Sequence, residues 1–228
     1  MFFPQVFCKE DSQLSNQQKK GGKKSSQREA SILESALKVI GEKGYETTTI
    51  SDICREANVS ESTLYEYFSS KEDVLFSIPK MYSRRILEGI QIIRPYCDGA
   101  RAKLKVFIRV ALEIYEQNPH YASVVLLTLK GNRSFLRTPA YQLIREGYRT
   151  IIDILHEGIE EGVFRNDFDV YLARNMVLGF IEHLTIQWLL LGRPNSLAEQ
   201  KDMIYGMVLK ALEKKEDDDF INVKLKIE

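Results

Sequence analysis

Glu61, Ser62, Thr63 and Tyr65 place one carboxylate and several hydroxyls within a single short stretch. Groups of this kind exchange hydrogen bonds with base edges in the DNA major groove, where each base pair shows its own donor and acceptor pattern. Thr48, Thr49, Tyr67 and Lys71 flank the stretch, where they would meet phosphate oxygens. Ser60 stands at its head. Lys24 and Arg28 belong to a run over residues 19–28, KKGGKKSSQR, that holds five basic residues and no acid. Such a run is either a solvated tail or an arm that reaches phosphates or a minor groove.

Catalytic patterns are missing by contrast. His120, His156 and His183 fall on different predicted helices and show no HExxH spacing. There is no glycine-rich phosphate loop and no nucleophile elbow. The expectation is a protein that is not an enzyme and carries neither cofactor nor metal. Cys8, Cys54 and Cys97 are far apart and form no CxxC pair, which suits reduced thiols in a cytoplasm. Cys54 lies on a buried stripe, where a structural thiol is expected rather than a redox sensor.

The reading stretch needs a scaffold. Residues 47–73 run TTTISDICREANVSESTLYEYFSSKED. Ile50, Ile53, Cys54 and Ala57 recur at i, i+3, i+4, i+7, the stripe of a support helix. Asn58 follows at the turn and tolerates left-handed backbone. Val59 plugs the angle, and Ser60 caps the next helix. That helix turns Leu64 and Phe68 inward and leaves Glu61, Ser62, Thr63, Tyr65 and Glu66 outward. This is the layout of a helix-turn-helix. Helix starts are marked by S/T-x-x-D/E boxes: Ser26 with Glu29, Thr49 with Asp52, Ser70 with Asp73, Ser196 with Glu199. Gly44 is placed to close the first helix in a left-handed cap, and Pro79 should kink the fourth.

The chain has 228 residues, 44% hydrophobic and 28% charged, with a formal net charge of zero. Helical periodicity persists from Ser26 onward, so the expected class is all-α. Four segments are expected: a flexible basic tail at 1–25, a helix-turn-helix domain at 26–72, a helical effector-binding and dimerisation domain at 73–215, and a C-terminal tail at 216–228. Residues 175–192 are long and apolar, but Glu182, His183 and Gln187 lie near their middle, which favours a buried helix over a membrane span.

Residues 28–76 resemble the DNA-binding domain of TetR/AcrR-family transcriptional regulators. The resemblance is carried by EKGYETTTI, DICREANVS, STLYEYF and SKEDVL. GVFRNDFDVYLARNMVLGFIEHLTIQWLL is similar to that family's C-terminal half, more loosely. The resemblance implies an all-α homodimer whose first three helices bind DNA. Its later helices would hold a small-molecule pocket and the dimer contact, and most members repress transcription until an effector releases them. Two departures stand out: Glu61 and Glu66 occupy positions where the family often carries bases. Glu61 would accept from a cytosine amino group or favour the helix dipole, and Glu66 would pair on a solvated face.

A short reading helix touches few base pairs, so a two-fold dimer on a palindromic double-stranded operator is expected. The helices over residues 141–161 and 169–191 are expected to form a four-helix bundle across the two-fold axis, through Ile152, Leu155, Ile159, Met176, Phe180, Leu184 and Leu191. Phe107, Val110, Ile114, Leu126, Tyr148, Phe180 and Trp188 are candidates to line a pocket for an apolar or amphipathic effector. No repeated charge cluster points to a phosphate. A small-molecule enzyme or a helical protein-interaction module remain as alternatives, the second of which leaves residues 47–73 unexplained.

Overall fold

The computed structural model describes residues 18–93 and 96–214. The head consists of α1 (Gln18–Lys43), α2 (Ile50–Ala57) and α3 (Glu61–Tyr65). The long α4 (Lys71–Ile93) leaves it for α5 (Gly99–Gln117), α6 (Pro119–Ser123) and a π-helical turn, Val124–Leu129. Then come α7 (Pro139–Glu160), α8 (Val170–Leu191) and α9 (Lys201–Leu212). The class is all-α, as expected: among the described residues the β content is an isolated bridge between Phe164 and Glu213.

Local chemistry sets the element ends. Gly44 takes φ 83° and closes α1 through a 2.8 Å bond from its N–H to the Ile40 carbonyl. Thr49 and Asp52 form the expected reciprocal box at the start of α2. Asn58 is left-handed, φ 51° and ψ 50°, and caps α2. Ser70 accepts from the Asp73 N–H at 3.0 Å, but the Asp73 carboxylate returns to Ser69 rather than to Ser70. Ser196 accepts from the Glu199 N–H at 3.3 Å, ahead of a 3-10 turn that leads into α9. Ser26 departs from expectation. Helical backbone already runs through it from Gln18, so it does not start α1. Residues 18–25, expected as tail, therefore belong to a helix. The remaining tail residues, 1–17 and 216–228, lie outside the described residues.

The hydrophobic core divides into two clusters. The first joins Ile32, Leu37, Ile53, Leu64, Phe68 and Leu75 to Tyr121, Val124, Leu129 and Phe135. The second joins α5, α7, α8 and α9 through Leu104, Ile108, Ile151, Leu155, Val177 and Val208. The expected boundary between residues 72 and 73 thus falls inside a packed cluster. A head of this size buries too little surface alone, and residues 121–140 complete it. No helix among the described residues is long and apolar enough to cross a membrane.

Candidate DNA-reading surface and effector cavity

The reading surface is built from its caps outward. Ser60 Oγ accepts from the Thr63 N–H at 3.1 Å and lies 2.8 Å from Ser62 Oγ and 3.0 Å from Thr63 Oγ1. These hydroxyls therefore order one another. Glu61, Ser62, Tyr65 and Glu66 are exposed, with Tyr65 at 52%. Thr63 is half-buried, and Thr49 and Arg28 are exposed. Lys24 is described in its backbone alone, on the early turns of α1.

Other expected phosphate contacts are placed differently. Thr48 is buried, and its hydroxyl donates to the Gly44 carbonyl at 2.8 Å. Tyr67 is half-buried against the first core beside Phe68. Lys71 Nζ donates to the Tyr45 and Thr48 carbonyls at 3.0 and 2.8 Å and sits 4.3 Å from the Tyr45 ring centroid. It clamps the loop between α1 and α2 to the first turn of α4.

Three other cations of the head are also engaged. Lys38 pairs with Glu56 at 2.6 Å and Lys43 with Asp52 at 3.0 Å; Arg55 also pairs with Asp52. The Lys43 ammonium and two bonds from Thr49 hold the Asp52 carboxyl well below the usual carboxylate range. Burial, and secondarily Glu61, push the Cys54 thiol up, which suits an inert structural cysteine.

The C-terminal half carries two adjacent spaces. A chamber of about 90 Å³ is lined by Phe107, Ala111, Ile114, Tyr115, Tyr121, Val125, Leu143, Ile144 and Gly147. A cleft of about 1010 Å³ lies between α7 and α8. They share Tyr148, Leu178 and Glu182 as a common wall. Glu182 is buried on α8, at 6% exposure. Its Oε1 accepts from the Tyr148 hydroxyl at 3.0 Å, and its Oε2 pairs with Lys130. Burial lowers the Lys130 ammonium and pushes the Tyr148 hydroxyl up to about 12.

Of the expected pocket residues, Phe107, Ile114 and Tyr148 line the chamber. Leu126 packs into the first core instead, and Trp188 against the second. Val110 does not reach the chamber, and Phe180 faces outward at 40% exposure. The charge cluster absent from the linear reading is present in space. Arg145 and Arg149 of α7, Arg174 of α8 and Lys130 all line the cleft, against Glu146, Asp153 and the committed Glu182. Arg145 and Arg149 at i, i+4 were the signal in the sequence; Arg174 joins them through the packing of α8 on α7.

The apolar face left for a partner also differs. Leu155 is fully buried within the chain, Ile159 packs on the second core and Ile152 lines the cleft. So α7 spends its apolar stripe internally. Met176, Phe180 and Leu184 instead line a groove of about 510 Å³ with Met203, Ile204 and Met207 of α9, and with His183. Leu191 is 69% exposed at the end of α8. Among the described residues, no group of His, Cys, Asp or Glu is arranged to hold a metal.

Residues 32–78 match the family description "bacterial regulatory proteins, tetR family", and residues 86–211 match "YsiA-like protein, C-terminal region". The chain is 29% identical over 185 residues to the fatty acid metabolism regulator protein of Bacillus subtilis, covering 81% of this chain and 95% of that one. It is 26% identical over 194 residues to the HTH-type transcriptional repressor KstR2 of Mycobacterium tuberculosis, covering 82% and 94%. Among solved structures it is similar to the transcriptional regulator FadR from Bacillus subtilis in complex with stearoyl-CoA. The TM-score is 0.75 at 26% identity, over 81% of this chain and 99% of that one.

Proposed function

The chain belongs to the tetR family of bacterial regulatory proteins, and from that premise we propose that it is a homodimeric repressor released from a palindromic operator by an acyl thioester of coenzyme A. That it is a ligand-responsive, DNA-binding transcriptional regulator follows from the family. The effector class is the further step. One observation carries it: an apolar chamber shares a wall at Tyr148, Leu178 and Glu182 with a cleft that sets Arg145, Arg149 and Arg174 against Glu146 and Asp153. A ligand that bridges the two is apolar at one end and offers anionic groups to the three guanidinium groups at the other. Guanidinium groups suit phosphates in particular, and the similar FadR holds stearoyl-CoA.

The DNA contact is assigned to Glu61, Ser62, Thr63 and Tyr65 for bases, with Thr49 and Ser60 beside the phosphates. With Lys38, Lys43 and Arg55 paired, the basic residues 19–28 supply the missing attraction. The second copy docks on the groove between α8 and α9, where Phe180, Met203 and Met207 are exposed together. The reading carries no catalytic step, and it places the protein in the cytoplasm with its operator.

A mobility-shift titration on the DNA upstream of the chain's own coding sequence tests this. Acyl-CoA should release the operator, and the matching free fatty acid should act far more weakly. Arg149→Gln with Arg174→Gln should bind operator normally and need at least about tenfold more acyl-CoA, one charge-assisted bond per guanidinium. Equal potency of acid and thioester would remove the cleft from the mechanism.

A further inference from the structure

The chamber behind Tyr148 is small. Its volume is about 90 Å³, below the roughly 150 Å³ of an engineered cavity that admits benzene. In proportion to benzene's six carbons in that cavity, about three methylene-sized groups fit beyond the mouth. The far wall is rigid. Tyr115 and Tyr121 line it, and Tyr121 stacks on Tyr82 of α4 with ring centroids 4.4 Å apart.

One part of the wall has no side chain. Gly147 lies on the chamber, and a Cβ added there would meet nothing within 4 Å. Gly158 on the same helix is different, because a Cβ there would come within 2.0 Å of the Phe164 ring. Packing therefore requires glycine at 158 and does not require it at 147. Glycine weakens a helix interior, and at 147 no packing contact offsets that cost, while the position borders the chamber.

We propose that Gly147 is a specificity-determining residue: by leaving its stretch of wall bare it sets the depth of the chamber, which takes a compact acyl tail of about four carbons counted from a thioester carbon at Tyr148 and refuses long chains. The inference rests on the acyl-thioester reading above. It assigns the tail, where that reading assigned only the class.

Calorimetric titration of the full chain with acetyl-, butyryl-, hexanoyl-, octanoyl- and stearoyl-CoA tests it. Each methylene without a place in the chamber forfeits a factor of about four in affinity, ~0.8 kcal/mol. The natural protein should bind butyryl-CoA best and stearoyl-CoA at least about tenfold more weakly. Gly147→Ala should weaken butyryl-CoA about fourfold and leave acetyl-CoA in place. Gly147→Val should move the optimum to acetyl-CoA. Alanine favours the helix, so Gly147→Ala keeps the test valid should the valine variant fold poorly. Stearoyl-CoA binding as tightly as butyryl-CoA, or a series unmoved by Gly147→Ala, overturns the length selection and leaves the acyl-thioester reading standing. If no member binds, that reading falls and the inference with it.

Discussion

Replacing Lys71 with methionine separates two roles that predict different things. In the structure the ammonium holds the Tyr45 and Thr48 carbonyls at 3.0 and 2.8 Å across the loop between α1 and α2. Methionine keeps the apolar stem against Tyr45 but removes both bonds. A hydrogen bond to a charged group contributes roughly 1.5–3 kcal/mol. The Tyr45 carbonyl keeps the Thr48 N–H at 3.3 Å, so part of the loss is recovered. The net cost should be about 2 kcal/mol, or about 4–8 °C in Tm for a chain of this size. Thermal melting and an operator titration across salt, run on both proteins, give the answer. A phosphate contact would instead reduce the salt slope by ~0.9 per copy and leave Tm in place. Lys43→Met is the control, since its exposed pair with Asp52 should contribute only ~0–1 kcal/mol. A Tm within about 1 °C of the natural protein, with a shallower salt slope, would refute the clamp.

Gly158→Ala should cost at least about 1–3 kcal/mol, because its Cβ would enter the Phe164 ring; chemical denaturation measures this. Tyr148→Phe should flatten the alkaline limb of stability. Burial raises the Tyr148 hydroxyl from 10.0 to about 12, so between those values the unfolded state releases a proton that the folded state keeps. Stability then falls as pH rises, by roughly 1.4 kcal/mol per unit from this group. The variant should start lower at pH 8, having lost the bond to Glu182, yet lose less from pH 10 upward when Tm is followed against pH. Thr49→Ala removes the α2 cap and should cost ~1 kcal/mol in the same denaturation assay. Met207→Glu, on the exposed face of α9, should convert a dimer to monomer in light scattering at micromolar concentration.

What the sequence made legible was local. The box of Thr49 with Asp52, the left-handed Asn58 and the inward Leu64 each depend on residues a few positions apart, and each is present. Thr48 and Lys71 misled because their partners are backbone carbonyls brought close by the loop, Gly44 for one, Tyr45 and Thr48 for the other. No side-chain pattern marks those. The apolar stripes identified helices but not destinations. Leu126 and Phe107 carry the same signal, yet one fills the core shared with the head and the other borders the chamber. The apolar stripe of α7, expected at a dimer contact, shows the same limit. Its stripe is strong because α5 and α8 consume it, while the weaker stripe of α9 is the one left exposed.

The placement of α6 ties these features into one argument about release. This helix spans Pro119–Ser123, too short to bend between its own residues. Tyr121 forms part of the chamber wall and stacks on Tyr82 of α4. His120, one position earlier, lies so close to α1 that a Cβ on Gly41 would come 2.4 Å from its Nδ1. An occupant pressing on Tyr121 would therefore load both helices that carry the reading head, α1 through His120 and α4 through Tyr82. The required effect is modest: a coupling of ~1–3 kcal/mol changes operator affinity ~5–150-fold. The head amplifies the consequence, because its cations at Lys38, Lys43 and Arg55 are spent on internal pairs. Sequence-independent attraction would then rest on the basic residues 19–28 of α1, so a load on α1 would shift that anchor together with the reading helices.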